Sequence, residues 1–126
     1  TYRLSEAYLN RAEALVFLDK WESAITDINT IREKRIKNDY EITATNREDA
    51  LNKVWEERRR ELCFEKHRWF DLRRQGMPEL RHIFTNGGSR KEYILPAGSK
   101  SYTLPIPKKI REQNKIIVNI ERPEQQ

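Results

Sequence analysis

The sequence contains few of the residues that would form a disulfide, a metal site or a membrane span. It has one cysteine, Cys63, and two histidines among 126 residues. A single cysteine excludes an internal disulfide and a cysteine-based zinc site. No run approaches 18 consecutive apolar residues, which excludes a membrane-spanning helix. The sequence also opens without the charged and apolar regions of a signal peptide, which indicates a cytoplasmic protein or part of a longer one.

The residues that are abundant indicate a folded protein of one domain. Hydrophobic residues make up 37% of the sequence and charged residues 36%, and three Trp, five Tyr and four Phe supply apolar bulk. Disordered chains lack such bulk. The net charge of +5 would by itself allow an anionic partner, so the distribution of the charges has to decide.

The first 36 residues have the periodicity of two helices. The apolar positions of the first are Leu4, Ala7, Tyr8, Ala12, Leu15 and Leu18, and those of the second are Trp21, Ala24, Ile25, Ile28 and Ile31. Asp19, with Glu22 three residues later, predicts a capping box at the start of the second helix. Two helices with almost no loop must pack antiparallel, and their combined length of about 34 residues is typical of a tetratricopeptide unit.

A third helix is predicted to begin at Arg47, with Asn46 as its N-cap. Gly76 and Pro78 end the helical region. Glycines and prolines then alternate with short apolar pieces at 93–95 and 102–104, which predicts extended segments and turns. The expected fold class is mainly α: tetratricopeptide-like antiparallel helices over residues 1–75, and an irregular, turn-rich segment with short extended pieces over residues 76–126. Residues 113–126 are expected to form an exposed end.

Residues 47–74 carry nine Lys/Arg and seven Asp/Glu, and two of these charges fall on the apolar face. On a helical wheel Arg58 and Glu65 share the arc of Leu51, Val54, Trp55 and Leu62. A buried charge must be paired, and arginines and carboxylates three residues apart, Arg58 with Glu61 and Glu65 with Arg68, are the expected local pairs. The predicted structural ion-pair network comprises Arg58, Glu61, Glu65, Arg68 and Asp71. The alternative is that the cluster lines a pocket for an anion or a sugar.

The same residues resemble the signature near the C-terminus of the SusD/RagB family of outer-membrane nutrient-binding lipoproteins. The signature reads Glu57-Arg58-Arg59-x-Glu61-Leu62-x-Phe64-Glu65-x-x-Arg68-Trp69-x-Asp71-Leu72-x-Arg74. Residues 2–14 (YRLSEAYLNRAEA) and 28–35 (INTIREKR) are similar to the family's helix pair, and residues 104–107 (LPIP) with Asn114 are similar to its closing motif. The resemblance covers residues 2 to 118.

This resemblance implies capture of an oligosaccharide or similar nutrient at the cell surface. The ligand would pass, chemically unchanged, to a TonB-dependent SusC-like barrel transporter in the outer membrane. Family members are several times longer, with a lipidated N-terminal cysteine and a ligand site built mainly upstream. The chain would therefore be a C-terminal part that touches the membrane only through a lipid it does not itself carry. The ligand-contacting residues stay unknown, and no cofactor is implied.

Several positions depart from the family pattern. Lys66 stands where glycine is usual, and if that position is a left-handed helix end, lysine costs about 1 kcal/mol there. Cys63 replaces a small alanine, and Lys115 stands where proline is common. Residues 120–123 do not reproduce the family's ending, and no function is inferred from the last dozen residues.

Other functions find less support in the sequence. His67 lies four residues before Asp71, but no serine or cysteine is set up as a nucleophile, and His82 has no metal-ligand spacing to His67; we expect no enzyme and no metal. The basic runs 58–60 and 73–74 are flanked by carboxylates, which disfavours nucleic-acid binding. Candidates for an exposed ring that stacks on sugar are Tyr40, Tyr93 and Tyr102, while Trp21, Trp55 and Trp69 are expected in the core. The alternative function is a free-standing tetratricopeptide-like protein-interaction module.

Overall fold

A computed structural model of the chain describes residues 3–114 and 116–118. They form two compact units that divide between Arg68 and Trp69. The elements within the described residues are α1 (Leu4–Phe17), α2 (Trp21–Glu33), α3 (Arg47–Glu61), α4 (Arg68–Arg74), β1 (Leu80–Asn86), β2 (Ser89–Leu95), a 3₁₀ turn (Lys100–Tyr102) and α5 (Lys108–Gln113). The predicted mainly α fold class is confirmed. The likeness to a tetratricopeptide unit stays a prediction.

The connection between α1 and α2 corrects one expectation of the sequence. Asp19 does not cap α2, because its φ of 60° places it in the left-handed region that ends α1. Its backbone N–H donates to Val16 O at 3.1 Å, and the N–H of Lys20 donates to Leu15 O at 2.8 Å. This pair of bonds is a Schellman motif, in which an aspartate tolerates the left-handed position. The residue before α2 is Lys20, whose side chain makes no capping bond.

The buried face of α1 is rotated from the predicted one. Leu9, Ala12 and Val16 are fully buried, whereas Leu4 is 75% exposed and Leu18 is 67% exposed. Apolar side chains occur on more than one side of this helix, and only the side that faces α2 and α3 enters the core. That core comprises Leu9, Ala12, Val16, Ala24, Ile25, Ile28, Ile31, Ala50, Val54 and Leu62. The predicted face of α2 is confirmed for its alanine and isoleucines.

The third helix begins as predicted but ends earlier. Asn46 Oδ1 accepts the backbone N–H of Asp49 at 2.9 Å, which confirms the N-cap. The helix ends at Glu61, and Phe64 and Lys66 then have φ of 64° and 67° before α4 starts. Glu65 therefore does not lie on the wheel of α3, and its placement on that helix's apolar arc was wrong. The family's glycine position, occupied here by Lys66, is left-handed and lies after the end of α3.

The second unit contains a hairpin that the sequence did not specify as such. β1 and β2 pair antiparallel from Leu80↔Leu95 to Asn86↔Ser89. Gly87 and Gly88, at φ of 53° and 84°, form the turn, since a type I′ turn needs positive φ at both central residues. The extended piece at 93–95 is thus confirmed, as part of β2.

The piece at 102–104 starts differently from its prediction. Tyr102 closes a 3₁₀ turn rather than opening a strand, because Ser99 Oγ accepts the N–H of Ser101 at 3.2 Å and caps that turn. The side chain of Tyr102 is fully buried, its hydroxyl donates to Pro78 O, and its ring stacks on Trp69 with centroids 5.0 Å apart. The short α5 was not predicted. The expected exposed end at 113–126 lies largely outside the described residues.

Candidate functional site

Polar side chains enter the interior where α1 meets α3. Arg58 is buried, as the wheel predicts, and its Nη1 donates to Asn10 Oδ1 at 2.8 Å. Glu13, also buried, accepts the indole N–H of Trp55 on Oε1 at 2.9 Å. Residues three and four apart on one helix face lie together, so these two pairs form one polar seam within the apolar core. The seam fixes which face of α3 packs on α1.

A buried ion pair joins α2 to α3. Arg32 Nη1 lies 3.0 Å from Glu57 Oε2, and the two side chains are only 12% and 6% exposed. The same oxygen accepts Arg60 Nη1 at 3.1 Å, and Arg32 Nε donates to Tyr40 O at 2.6 Å. Arginine suits this position because its guanidinium group can donate hydrogen bonds to a carboxylate and to a backbone carbonyl at the same time. Glu57 is thus occupied by partners within the protein.

Two acidic residues of the predicted network, Glu61 and Glu65, have partners from elsewhere in the chain. Glu61 accepts Arg35 Nε at 3.1 Å and Nη2 at 2.8 Å, a two-bond contact that holds the pKa of Glu61 below its usual value. Glu65 Oε1 lies 2.7 Å from Arg3 Nη1. The pairing of Glu61 with Arg58, and of Glu65 with Arg68, three residues away stays a prediction.

The remaining members of that network lie at α4. Asp71 is buried and its Oδ1 accepts Arg74 Nε at 3.0 Å. Arg68 is the first residue of α4 and is exposed. Sequence reasoning included Glu61 but missed Arg35 as its partner, and it did not identify the pair of Arg32 with Glu57.

Two shallow pockets lie on the first unit. One, of about 310 Å³, is a groove between α1 and α2, and the other, of about 340 Å³, lies between the end of α2 and α3. The groove is lined by Leu4, Ser5, Tyr8, Thr30, Ile31, Lys34 and Arg35. The second is lined by Arg32, Ile36, Ile42, Lys53, Glu56 and Arg60. Its three cations each contact a carboxylate of the chain, so the second pocket offers little net charge to an anion.

The aromatic residues are placed differently from the prediction. Trp21, Trp55 and Trp69 are half-buried rather than fully buried, and Trp21 packs against the core of the first unit. Of the three tyrosines considered for an exposed ring, Tyr102 is fully buried, Tyr40 is half-buried and Tyr93 is 48% exposed. Stacking on a sugar needs an accessible ring face. Tyr93 is the most exposed of these three, and Lys91 Nζ lies over one face of its ring, 5.0 Å from the centroid.

The described residues hold no cluster of three or more His, Cys, Asp or Glu side chains that could bind a metal ion. Cys63 is exposed. In the same part of the chain, every helix is too short or too polar to cross a lipid bilayer.

A comparison with protein-family models matches residues 1–122 to the SusD family. The chain belongs to the SusD family. The resemblance read from the motifs is confirmed. Neither the curated proteins nor the solved structures contain a match to this chain.

Membership gives the general function of the chain. The SusD family comprises glycan-binding lipoproteins of nutrient uptake, which are binding proteins rather than enzymes. They are generally found on the outer-membrane surface. Within the family signature Glu57, Arg58, Leu62, Asp71 and Leu72 are buried, whereas Phe64 is 98% exposed.

Proposed function

We propose that this chain forms the C-terminal scaffold of a cell-surface lipoprotein that captures oligosaccharides. The intact protein would pass its ligand, chemically unchanged, to a TonB-dependent SusC-like barrel transporter, and a lipid on an upstream cysteine would anchor it to the outer membrane. The observation that carries the proposal is the SusD family match over residues 1–122. The contacts of Arg32, Glu57 and Glu61 support it, because these charges stabilise helix packing and are engaged within the protein.

Titration of the intact protein against a panel of oligosaccharides tests this function. We expect at least one glycan to bind with a calorimetric signal and to be recovered unchanged, because the family binds its ligands without altering them. Co-purification of the intact protein with a barrel transporter tests the delivery step separately. Failure of every glycan to bind would refute the capture of oligosaccharides.

A second candidate, a peptide-binding helical module, is favoured by the groove between α1 and α2. Its lining combines the apolar side chains of Leu4 and Ile31 with Tyr8 and with the cations Lys34 and Arg35. Helix-lined grooves of this composition bind extended or helical peptides. Peptide affinity without any glycan affinity would favour this candidate over the first.

A further inference from the structure

The β1–β2 hairpin separates its side chains into two different faces. Successive residues of a strand point to opposite sides, so the strand register assigns each residue to a face. One side, which we name the aromatic face, carries His82, Phe84, Asn86, Ser89, Lys91 and Tyr93, together with the half-buried Leu80 and Leu95 at the open end of the hairpin. The other, which we name the aliphatic face, carries Arg81, Ile83, Thr85, Arg90, Glu92 and Ile94.

The two faces expose large apolar side chains to a similar extent. Phe84 is 50% and Tyr93 48% exposed on the aromatic face, and Ile83 is 45% and Ile94 47% exposed on the aliphatic face. Phe84 pairs with Lys91, two residues before Tyr93, so the two rings are diagonal neighbours with backbones about 7–8 Å apart. The faces therefore differ in the chemistry of their exposed groups rather than in the amount of apolar surface.

Polar groups without carboxylates surround the two rings. His82 lies directly opposite Tyr93, and Lys91 Nζ lies 5.0 Å from the centroid of the Tyr93 ring. Asn86 and Ser89 form the pair next to the turn. Imidazole, ammonium, amide and hydroxyl groups together offer donors and acceptors. This is the combination that a sugar requires, since its C–H patches stack on aromatic rings and its hydroxyls need hydrogen-bond partners.

The aliphatic face lacks aromatic rings and includes the carboxylate of Glu92. It carries isoleucines in place of rings, and Arg81 is already engaged, with its Nε 2.7 Å from Glu79 Oε1 and its Nη1 3.4 Å from Glu92 Oε1. A surface for general hydrophobic contact could use either face of the hairpin, but a sugar-stacking surface can use the aromatic face alone. We propose that the aromatic face of the β1–β2 hairpin binds sugar rings of a glycan, with Phe84 and Tyr93 as the stacking platform. This rests on the proposed function, because it names a contact surface for the same class of ligand.

Ring removal on the 126-residue chain tests this surface directly. In affinity electrophoresis through gels that contain soluble starch, xylan or mannan, the unaltered chain is expected to be retarded by at least one of the three. Phe84→Leu and Tyr93→Leu keep apolar bulk and remove the rings, and each is expected to weaken binding about fivefold to tenfold. Tyr93→Phe keeps the ring and is expected to retain most of the affinity.

The opposite face of the same hairpin supplies a matched control. Ile83→Ala and Ile94→Ala remove as many side-chain heavy atoms as Phe84→Leu does, at similar exposure, and are expected to leave the retardation unchanged. Far-UV circular dichroism checks that all variants fold. Should a leucine variant fail to fold, NMR of the unaltered chain provides the second measurement: the ring resonances of Phe84 and Tyr93 are expected to shift as a starch, xylan or mannan oligosaccharide is added.

The outcomes separate this proposal from the proposed function. The intact protein could bind glycan with an affinity that Phe84→Leu and Tyr93→Leu do not change, or that the aliphatic-face variants weaken equally. Either result overturns the aromatic face as a site and leaves oligosaccharide capture standing. Absence of any retardation or ring shift with the 126-residue chain overturns it as well. Absence of glycan binding by the intact protein refutes the proposed function itself.

Discussion

Replacement of Glu57 by glutamine is expected to lower the free energy of unfolding by about 2–4 kcal/mol. Glu57 Oε2 accepts Arg32 Nη1 at 3.0 Å and Arg60 Nη1 at 3.1 Å. Glutamine keeps the size of the side chain and removes its negative charge. Because the side chain of Arg32 is 12% exposed, its positive charge would stay in the interior without the carboxylate that now balances it.

The magnitude follows from the burial of each contact with Glu57. Breaking a buried ion pair by removing one partner costs about 3–5 kcal/mol. The amide oxygen of glutamine still accepts one hydrogen bond, which reduces that loss. The contact with Arg60 adds little, because the Arg60 side chain is 58% exposed and solvent screens its charge. These considerations together place the loss in the range stated.

Urea denaturation followed by far-UV circular dichroism measures the effect as a shift of the midpoint at constant slope. Glu56→Gln is the matched control, because Glu56 precedes Glu57 and also pairs with Arg60, at 3.0 Å, yet the Glu56 side chain is 63% exposed. Its loss is expected to stay below about 0.5 kcal/mol. Equal losses at the two positions, or a loss at Glu57 as small as that of the control, would refute the argument from burial.

Three further changes test the local structure. Lys66→Gly is expected to stabilise the protein by about 1 kcal/mol, because Lys66 has a φ of 67°. Lys37→Gly is the control, because Lys37 is not among the residues with positive φ, and a stabilisation of equal size at Lys37 would contradict the reasoning. Asn46→Ala removes the cap of α3 and is expected to cost about 1 kcal/mol, measured by thermal melting; an unchanged melting temperature would contradict it. The pKa of Glu61 is lowered in the folded state, so its carboxylate stabilises that state. This stabilisation is complete above the unfolded carboxyl pKa of about 4.3 and is lost as the pH falls through the folded pKa. Glu61→Gln is therefore expected to flatten the acid limb of a curve of stability against pH, and an unaltered limb would refute this.

The fold was predictable where one local signal decided the structure. The apolar period gave α1 and α2 their approximate extents, and Asn46 was identified as a cap because its side chain and the run after it agree. Asp19 was misassigned since aspartate suits both an N-cap and a left-handed helix end, and local sequence does not choose between them. The bonds from Asp19 and Lys20 back to α1 decide the matter.

Among the buried charges the position of Arg58 was predictable, whereas the long-range contacts of Glu57 and Glu61 were not. A helical wheel shows that Arg58 faces the core, because that depends only on its neighbours along α3. The partners of Glu57 and Glu61 are Arg32 and Arg35, which lie 25 and 26 residues away in sequence. Periodicity gives the direction in which a side chain points but not the element it meets, so tertiary packing had to supply those pairs.

The motif at residues 28–35 explains why the basic character of this chain says little about its ligand. Ile28 and Ile31 enter the core, and the polar residues Asn29, Arg32 and Arg35 contact other parts of the chain. Asn29 exchanges two hydrogen bonds of 3.0 Å with the backbone of Ile42, and Arg32 and Arg35 each bind a carboxylate of α3. Charges that are matched inside the protein contribute little field at its surface. These residues of the motif connect α2 to the following loop and to α3, and we propose that glycan recognition uses side chains outside the motif, among them the exposed rings of the hairpin.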